Sequence, residues 1–267
     1  KCHQIAASNV MHVEQHGLDV VSVSNHILER RKHMKLRIKF AKYGALKFIG
    51  HLDVMRFFQK AVRRADIDIA YTGGFSPHQI MSFAAPLGVG LESNGEYMDI
   101  EVNSVTSSKD MLEALNRQMV EGIHVLEVKM LPDDAGNAMA SVAAAAYSIG
   151  FRQGYEPDFD YRNALRAFYE QPEIIVTKKT KRSEATFDMK PYIYECTTEE
   201  DGRIHLTVDA SSSGNIKPSL VINAFYEQNG ATLDEIALLI TREETYMNIG
   251  NEEQRELVPL GFIGKEF

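Results

Sequence analysis

A mixed α+β protein made of two successive β-α-β-β-α-β units is predicted from three features of this 267-residue chain. After Met34 the apolar residues switch repeatedly between the strand period of two and the helix period of about 3.6. Gly and Pro clusters punctuate the switches, and the succession returns after residue 138. With 44% hydrophobic and 25% charged residues, the chain is long enough for one large domain or two of common size.

Residues 1–33 stand apart from this pattern. They hold five of the nine histidines, show little periodicity beyond LDVVSVS, and end in ERRKH before Met34, which reads as a natural start. They are expected to be an extension, either a short ordered appendage or a flexible tail. A metal-binding tail using Cys2, His3, His12 and His16 is the alternative. His12 and His16 have helical i, i+4 spacing, but no acidic third ligand stands at a matching position.

From Met34 onward, KLRIKFAKY alternates charge with apolar residues, as a half-buried strand does. HLDVMRFFQKAVRRAD takes the helical period, with Met55, Phe58, Val62 and Ala65 on one side and Arg56, Lys60 and Arg63 on the other. IDIAY reads as a short strand, and a Gly/Pro-rich segment, Tyr71 to Gly90, follows it. EYMDIEV is the next strand, SSKDMLEALNRQMV a helix capped by Thr106 or Ser107, and IHVLEVKML a strand. This order is the split βαβ, or ferredoxin-like, unit.

In the second half, ASVAAAAYSIGFR ends in alternating Tyr147, Ile149 and Phe151 and reads as a strand, although its alanines also permit a helix. PDFDYRNALRAFYE reads as a helix with Pro157 near its start, PEIIVTKKT as a strand, and MKPYIYECT as an extra strand or hairpin. RIHLTVDA, a helix from Lys217 to Glu227 and a strand near EIALLITRE complete the unit. The prediction is therefore two tandem ferredoxin-like units with antiparallel sheets. The first covers 34–131 and the second 138–247, joined around LPDDAGNAM, with 248–267 as a C-terminal tail.

Several function classes are excluded or disfavoured. No run of about 18 apolar residues exists to span a membrane, and the opening lacks the regions of a secretory signal, so the cytoplasm is the expected location. Cys2 and Cys196 are the only cysteines and cannot by themselves build a disulfide framework, a zinc site or an iron–sulfur site. No metal or cofactor site is expected in this chain. A net charge of −8 argues against a nonspecific nucleic-acid binder, but charge is unevenly spread. Between Met34 and Asp66 nine basic residues face two acidic ones, and Lys178, Lys179, Lys181 and Arg182 form a second cluster.

The segment YTGGFSPHQIMSFAAPLGVG is the main site candidate. Gly73, Gly74, Gly88 and Gly90 permit positive φ and close approach, while Pro77 and Pro86 stiffen the chain. It is expected to frame one groove with the preceding helix. There Tyr71, Phe75 and His78 stack on bases beside Gly73 and Gly74, and Arg56, Lys60, Arg63 and Arg64 hold phosphates. Lys178, Lys179, Lys181 and Arg182 would add a second phosphate contact or serve only as a solvated hairpin tip. The competing reading has Phe75, Ile80 and Phe83 pinning the loop to the core and the arginines facing water. His51 and His78 are candidates for acid–base work, against the plainer reading of a cap or packing residue. Asp99 and Glu101 alternate on a strand and read as its solvated face. No P-loop, GxGxxG after a strand, or Ser/His/Asp arrangement is present.

Most of RIKFAKYGALKFIGHLDVMRFFQKAVRRADIDIAYTGGFSPHQIMSFAAPLGVGLESNGEYMDIEV resembles the opening of the uncharacterised radical-SAM-linked proteins. That domain occurs fused to, or encoded beside, radical-SAM enzymes. The matching positions are Lys42 and Gly44; Phe48, His51, Leu52 and Asp53; Arg63, Arg64 and Ala65; Tyr71, Gly74, Phe75, Pro77 and His78; Pro86, Leu87, Gly90, Ser93, Glu96 and Tyr97. Gly50 and Thr72 depart from the Ser common there, and KPSLVINAF and ITREETYM are similar to the family's end, so the likeness runs from about Met34 to Met247. It implies an accessory to a radical-SAM protein that carries the iron–sulfur cluster and S-adenosylmethionine.

The expected function is thus an RNA-binding module, for ribosomal or transfer RNA, working with a radical-SAM enzyme in RNA modification. A metal-independent RNA endonuclease using His51 or His78, and a protein-interaction subunit without RNA, are the alternatives. Tandem ferredoxin-like folds with a glycine-rich loop also resemble CRISPR RNA-processing proteins, an analogy of fold that carries little weight for function.

Overall fold

The computed structural model describes residues 33–179, 184–234, 236–251 and 254–267. Expectations for residues 1–32, and so for an extension or metal-binding tail there, lie outside the described residues. The fold is mixed α+β, with five α-helices among the described residues and a nine-stranded, mostly antiparallel sheet.

The first half runs β1 (Met34–Lys42), α1 (His51–Arg64), β2 (Met81–Phe83), β3 (Glu92–Val102), α2 (Ser108–Asn116) and β4 (Ile123–Met130). A short α3 (Ala138–Ser141) leads to the second half: β5 (Ala144–Phe151), α4 (Tyr161–Tyr169), β6 (Ile175–Lys179), β7 (Glu184–Asp188), β8 (Ile193–Thr198), β9 (Ile204–Asp209), α5 (Pro218–Gln228) and β10 (Leu238–Asn248). A short β11 (Leu257–Pro259) pairs with β10. In the main sheet the order is β4-β1-β3-β10-β5-β9-β8, with β2 beside β3. Every named pairing is antiparallel except β3 with β10, the seam between the halves.

Period-two alternation places Leu36, Ile38 and Phe40 of β1 against Val54, Phe58 and Val62 of α1 and Met111 and Leu115 of α2. The α2 helix starts where Ser107 accepts a hydrogen bond from Asp110 N, the N-cap expected from sequence. A second core gathers Tyr147, Ile149, Leu165, Phe168, Leu206, Val221 and Phe225. The alanine-rich stretch forms β5, fully buried at Ala144, Ala145 and Ala146, because its small residues suit a central strand packed on both faces. Asp160, not Pro157, sets the start of α4, its side chain accepting from Asn163 N. MKPYIYECT supplies β8, paired with β9, as the extra strand or hairpin expected there, whereas PEIIVTKKT forms β6 and pairs with β7, a strand not predicted, in a separate two-stranded sheet.

Three expectations are corrected. IDIAY does not form a regular strand: Ile69 bridges Val102, Tyr71 bridges Gln79, and pairing with β3 resumes only at Met81. The charged face of β1 is covered rather than solvated, with Arg37 1% exposed and Lys35 and Lys39 half-buried. Its Nε and Nη2 donate to Asp99, and its Nη1 donates to Leu260 O, so Asp99 is an ion-pair partner and not part of a solvated face. The segment read as a tail supplies the cover, because it adds β11, buries Leu260, and returns to bridge Met130 with Lys265. Among the described residues no helix is long and apolar enough to cross a membrane.

The seam depends on one close approach. A Cβ on Gly95 would lie 2.5 Å from Glu244 Cα and 2.9 Å from Glu243 O. Thr245 Oγ1 also donates to Gly95 O at 2.7 Å. Gly95→Ala is expected to destabilise the protein by about 1–3 kcal/mol, because the backbones must part. Chemical denaturation with an unchanged midpoint would contradict this packing.

Candidate functional site

The glycine-rich segment divides into three pieces with different environments. Tyr71–Gln79 leaves the sheet as a hairpin closed by Thr72 N donating to His78 O at 2.9 Å and by Tyr71 bridging Gln79. Gly74 takes φ of +99° there, a conformation open to glycine at little cost. Phe75 lies fully in solvent, and Tyr71 is 47% exposed. Next, Met81–Phe83 pairs with β3 and buries Phe83 among Phe40, Phe58 and His51. The third piece, Ala84–Leu91, crosses to the seam, where Gly90 N donates to Lys47 O at 2.8 Å.

The expected single groove between α1 and the whole of Tyr71–Gly90 is therefore replaced by two surfaces, because pairing and burial at Met81–Phe83 pin the middle of the segment. Of the competing reading, Phe83 does anchor the loop, whereas Phe75 does not.

On the first surface the hairpin stands against α1. Gln79 Nε2 and Arg63 Nε both donate to the same carbonyl, Gln59 O, at 3.2 Å and 3.3 Å. Arg63 is thus brought to the hairpin base. Arg56 and Lys60 are exposed on the same helix, Arg56 pairing with Asp53 at 3.4 Å. Arg64 is drawn elsewhere, donating to Gln118. His78 is exposed, with Nδ1 3.1 Å from Thr72 Oγ1. His51 instead packs edge-on against Phe83, ring centroids 5.0 Å apart, which is the contact of a packing residue. Lys178 and Lys179 end β6, and Lys181 and Arg182 lie outside the described residues.

The second surface is a cleft between the halves, with a volume of about 800 Å³. Its walls are the Pro86–Leu91 loop with Lys47 and Phe48 on one side, and the start of α5 with residues of β10 on the other. Arg242 and Tyr147 line its floor, the guanidinium 5.8 Å from the Tyr147 ring centroid. Behind the loop, Arg242 Nη1 donates to Glu96 at 2.8 Å and to Ala85 O at 2.7 Å. Burial opposes the Arg242 charge, but Glu96 and Tyr147 outweigh it and raise its pKa. Lys42 is also buried nearby, and it lines a small internal space with His51, Glu96, Pro86 and Leu87. Burial lowers the Lys42 pKa, Glu96 opposes that shift, and Arg242 adds to it.

Lys42, His51, Pro86, Leu87 and Glu96, separate motif positions in the sequence, thus converge at one place. Arg242 was not among the candidate residues. A signal existed for its neighbours: Lys42 falls on the apolar phase of β1 with Leu36, Ile38 and Phe40, and Glu96 shares the phase of Met98, Ile100 and Val102. A charge on the buried phase of a strand demands a partner. Among the described residues no group of three or more His, Cys, Asp and Glu is placed to hold a metal ion.

A family described as an uncharacterized protein conserved in bacteria (DUF2344) matches residues 35–218, and the chain belongs to it. No curated protein matches the chain. A chain of the crystal structure of a Cbf5-Nop10-Gar1 complex is similar at 12% identity with a TM-score of 0.39, the match covering 80% of this chain and 49% of that one. The present chain therefore spans about half the length of that solved chain.

Glu96→Ala leaves Arg242 buried without its carboxylate and is expected to cost about 3–5 kcal/mol in a denaturation experiment. A loss below about 1 kcal/mol, the range of exposed ion pairs, would contradict the pairing. Lys42 gives a pH test. Its folded pKa is lowered, so the unfolded chain binds the proton more strongly between that pKa and the ordinary lysine value of 10.5. Stability contributed by this site therefore rises with pH across that window and is level below it. The stability difference between wild type and Lys42→Met should shift in favour of wild type as pH increases toward 10.5, and a pH-independent difference would contradict it.

Proposed function

We propose that this chain is an RNA-binding accessory module that works with a radical-SAM enzyme in RNA modification, built from two ferredoxin-like units. The matching strand orders β4-β1-β3-β2 and β10-β5-β9-β8 support the fold reading, each with two helices in the intervals of a β-α-β-β-α-β succession. The partner rests on the sequence resemblance, and the cluster and S-adenosylmethionine belong to that partner.

The observation that carries the RNA reading is the hairpin. It holds Phe75 entirely in water and keeps Tyr71 and His78 exposed, while its base shares the Gln59 carbonyl with Arg63 on the basic face of α1. A fully exposed phenylalanine costs apolar hydration unless something covers it. Single-stranded bases stack on such rings, and neighbouring cations meet the backbone phosphates. Tyr71, Phe75 and His78 would contact bases, with Gly73 and Gly74 allowing close approach, and Arg56, Lys60 and Arg63 would contact phosphates. Arg64, turned toward Gln118, contributes less.

The test is co-purification with the neighbouring radical-SAM protein, sequencing of bound RNA, and titration of that RNA at several salt concentrations. Phe75→Ala is expected to weaken binding by about 1–3 kcal/mol. Replacing Arg56, Lys60 and Arg63 together by alanine should lower the salt slope by about 2 while the protein stays folded. An RNA-free complex would end the RNA reading and leave a protein-interaction subunit, and RNA cleavage in the presence of chelator would favour the nuclease.

A further inference from the structure

We infer that the cleft between the two halves binds a nucleoside monophosphate unit, either free or at the end of an RNA strand. This site is distinct from the hairpin surface and does not depend on the RNA reading given to that surface.

Two independent features favour an anion there. The first is Arg242, which lines the cleft and is 6% exposed. Its Nη1 is engaged by Glu96 and Ala85 O, but its buried Nε has no acceptor among the described residues. The second is the start of α5, which opens on the same cleft through Lys217, Pro218 and Ser219. Lys217 occupies the N-cap and offers no side-chain cap, and Pro218 has no N–H. Leu220 N turns back to Lys217 O, which leaves Ser219 N at the positive end of the helix dipole. The preceding loop is already occupied, because Ser211 N and Asn215 N donate to Asp209. A ligand anion therefore belongs at the helix start and not in that loop.

The charge and shape of the walls narrow the ligand further. Lys47, Arg152, Lys217 and Arg242 line the cleft with Asp234 as the acidic residue among its described lining. Lys47 is paired with Glu92 at 3.0 Å and Arg242 with Glu96 at 2.8 Å, so Arg152 and Lys217 carry most of the net attraction, and Arg242 offers only its unpaired Nε as a donor. The rim is apolar: Phe48 is 65% exposed, Val89 60% and Ile236 54%. A bare anion leaves that rim wet, and a purely apolar ligand leaves the cations unmatched. A phosphate joined to a flat base satisfies both, with phosphate toward Lys217 and the α5 N-terminus and base against Phe48. The volume of about 800 Å³ lies within the range of ligand pockets.

The experiment is calorimetric titration of the full chain with adenosine monophosphate, adenosine and inorganic phosphate. Saturable binding of adenosine monophosphate is expected, weaker by about tenfold or more for adenosine and for phosphate alone. Lys217→Glu and Phe48→Ala should each weaken it by about tenfold while circular dichroism stays native, and Phe75→Ala should leave it unchanged. Oligoadenylates with and without a terminal phosphate identify the source, since preference for the phosphorylated oligonucleotide over the free nucleotide means an RNA end. Absence of binding to the folded protein at millimolar nucleotide, or binding unaffected by both cleft substitutions, overturns the assignment. Loss of RNA binding in the Phe75→Ala protein with nucleotide binding intact would separate the two surfaces.

Discussion

The ion pair between Glu96 of β3 and Arg242 of β10 is the constraint around which the rest of the molecule is arranged. Both side chains are 7% exposed, and they come from different halves of the chain. The backbone pairing between these strands is short, Thr241 with Glu92 and Arg242 with Ser93. Side chains extend it: Asn94 donates to Glu243, Thr245 to Gly95 O, and Tyr97 and Lys39 converge on Glu244. Burying two charges is expensive, so such a pair contributes little net stability relative to apolar residues of similar volume. Its effect here is on register, because sliding either strand strands a charge in the interior.

Function-bearing surfaces follow from that seam. The Ala84–Leu91 loop must cover Glu96 and meet Arg242 through Ala85 O, so it forms a wall with the charged cluster behind it and the cleft in front. The same segment begins in a hairpin whose exposed rings are tied to α1 by the Gln79 side chain. One stretch of sequence thus serves two places, and pairing at Met81–Phe83 keeps them apart. Gln79 itself is 7% exposed with Oε1 lacking a partner among the described residues, so the hairpin base is a weakly satisfied joint.

Sequence periodicity made much of this legible. The apolar phases of KLRIKFAKY, HLDVMRFFQKAVRRAD and EYMDIEV identify β1, α1 and β3 because each element buries one face on a common core. What periodicity could not disclose was the fate of the other face. Lys35, Arg37 and Lys39 look solvated until the chain returns, more than 200 residues later, to place Leu260 O on Arg37. IDIAY has the composition of a strand, yet the hairpin interrupts it after Ala70, and only long-range pairing with β3 decides where it resumes. The cleft was hidden for a related reason. Its two walls come from segments far apart in sequence, and Arg242 looks like one more surface arginine in ITREETYM until Glu96 is placed beside it. The motif residues Lys42 and Glu96 did carry a readable sign, a charge in the buried phase of a strand.

If the seam makes one body of the two halves, the amides of Gly95 and Arg242–Thr245 should be among the last to exchange. Native-state hydrogen exchange at rising denaturant measures this directly. The account predicts that these amides exchange only through global unfolding, with the cores around Phe58 and Phe225 opening in the same transition. Exchange of the seam at low denaturant, with the two cores opening at different free energies, would contradict it and dissolve the cleft as a fixed feature of the fold.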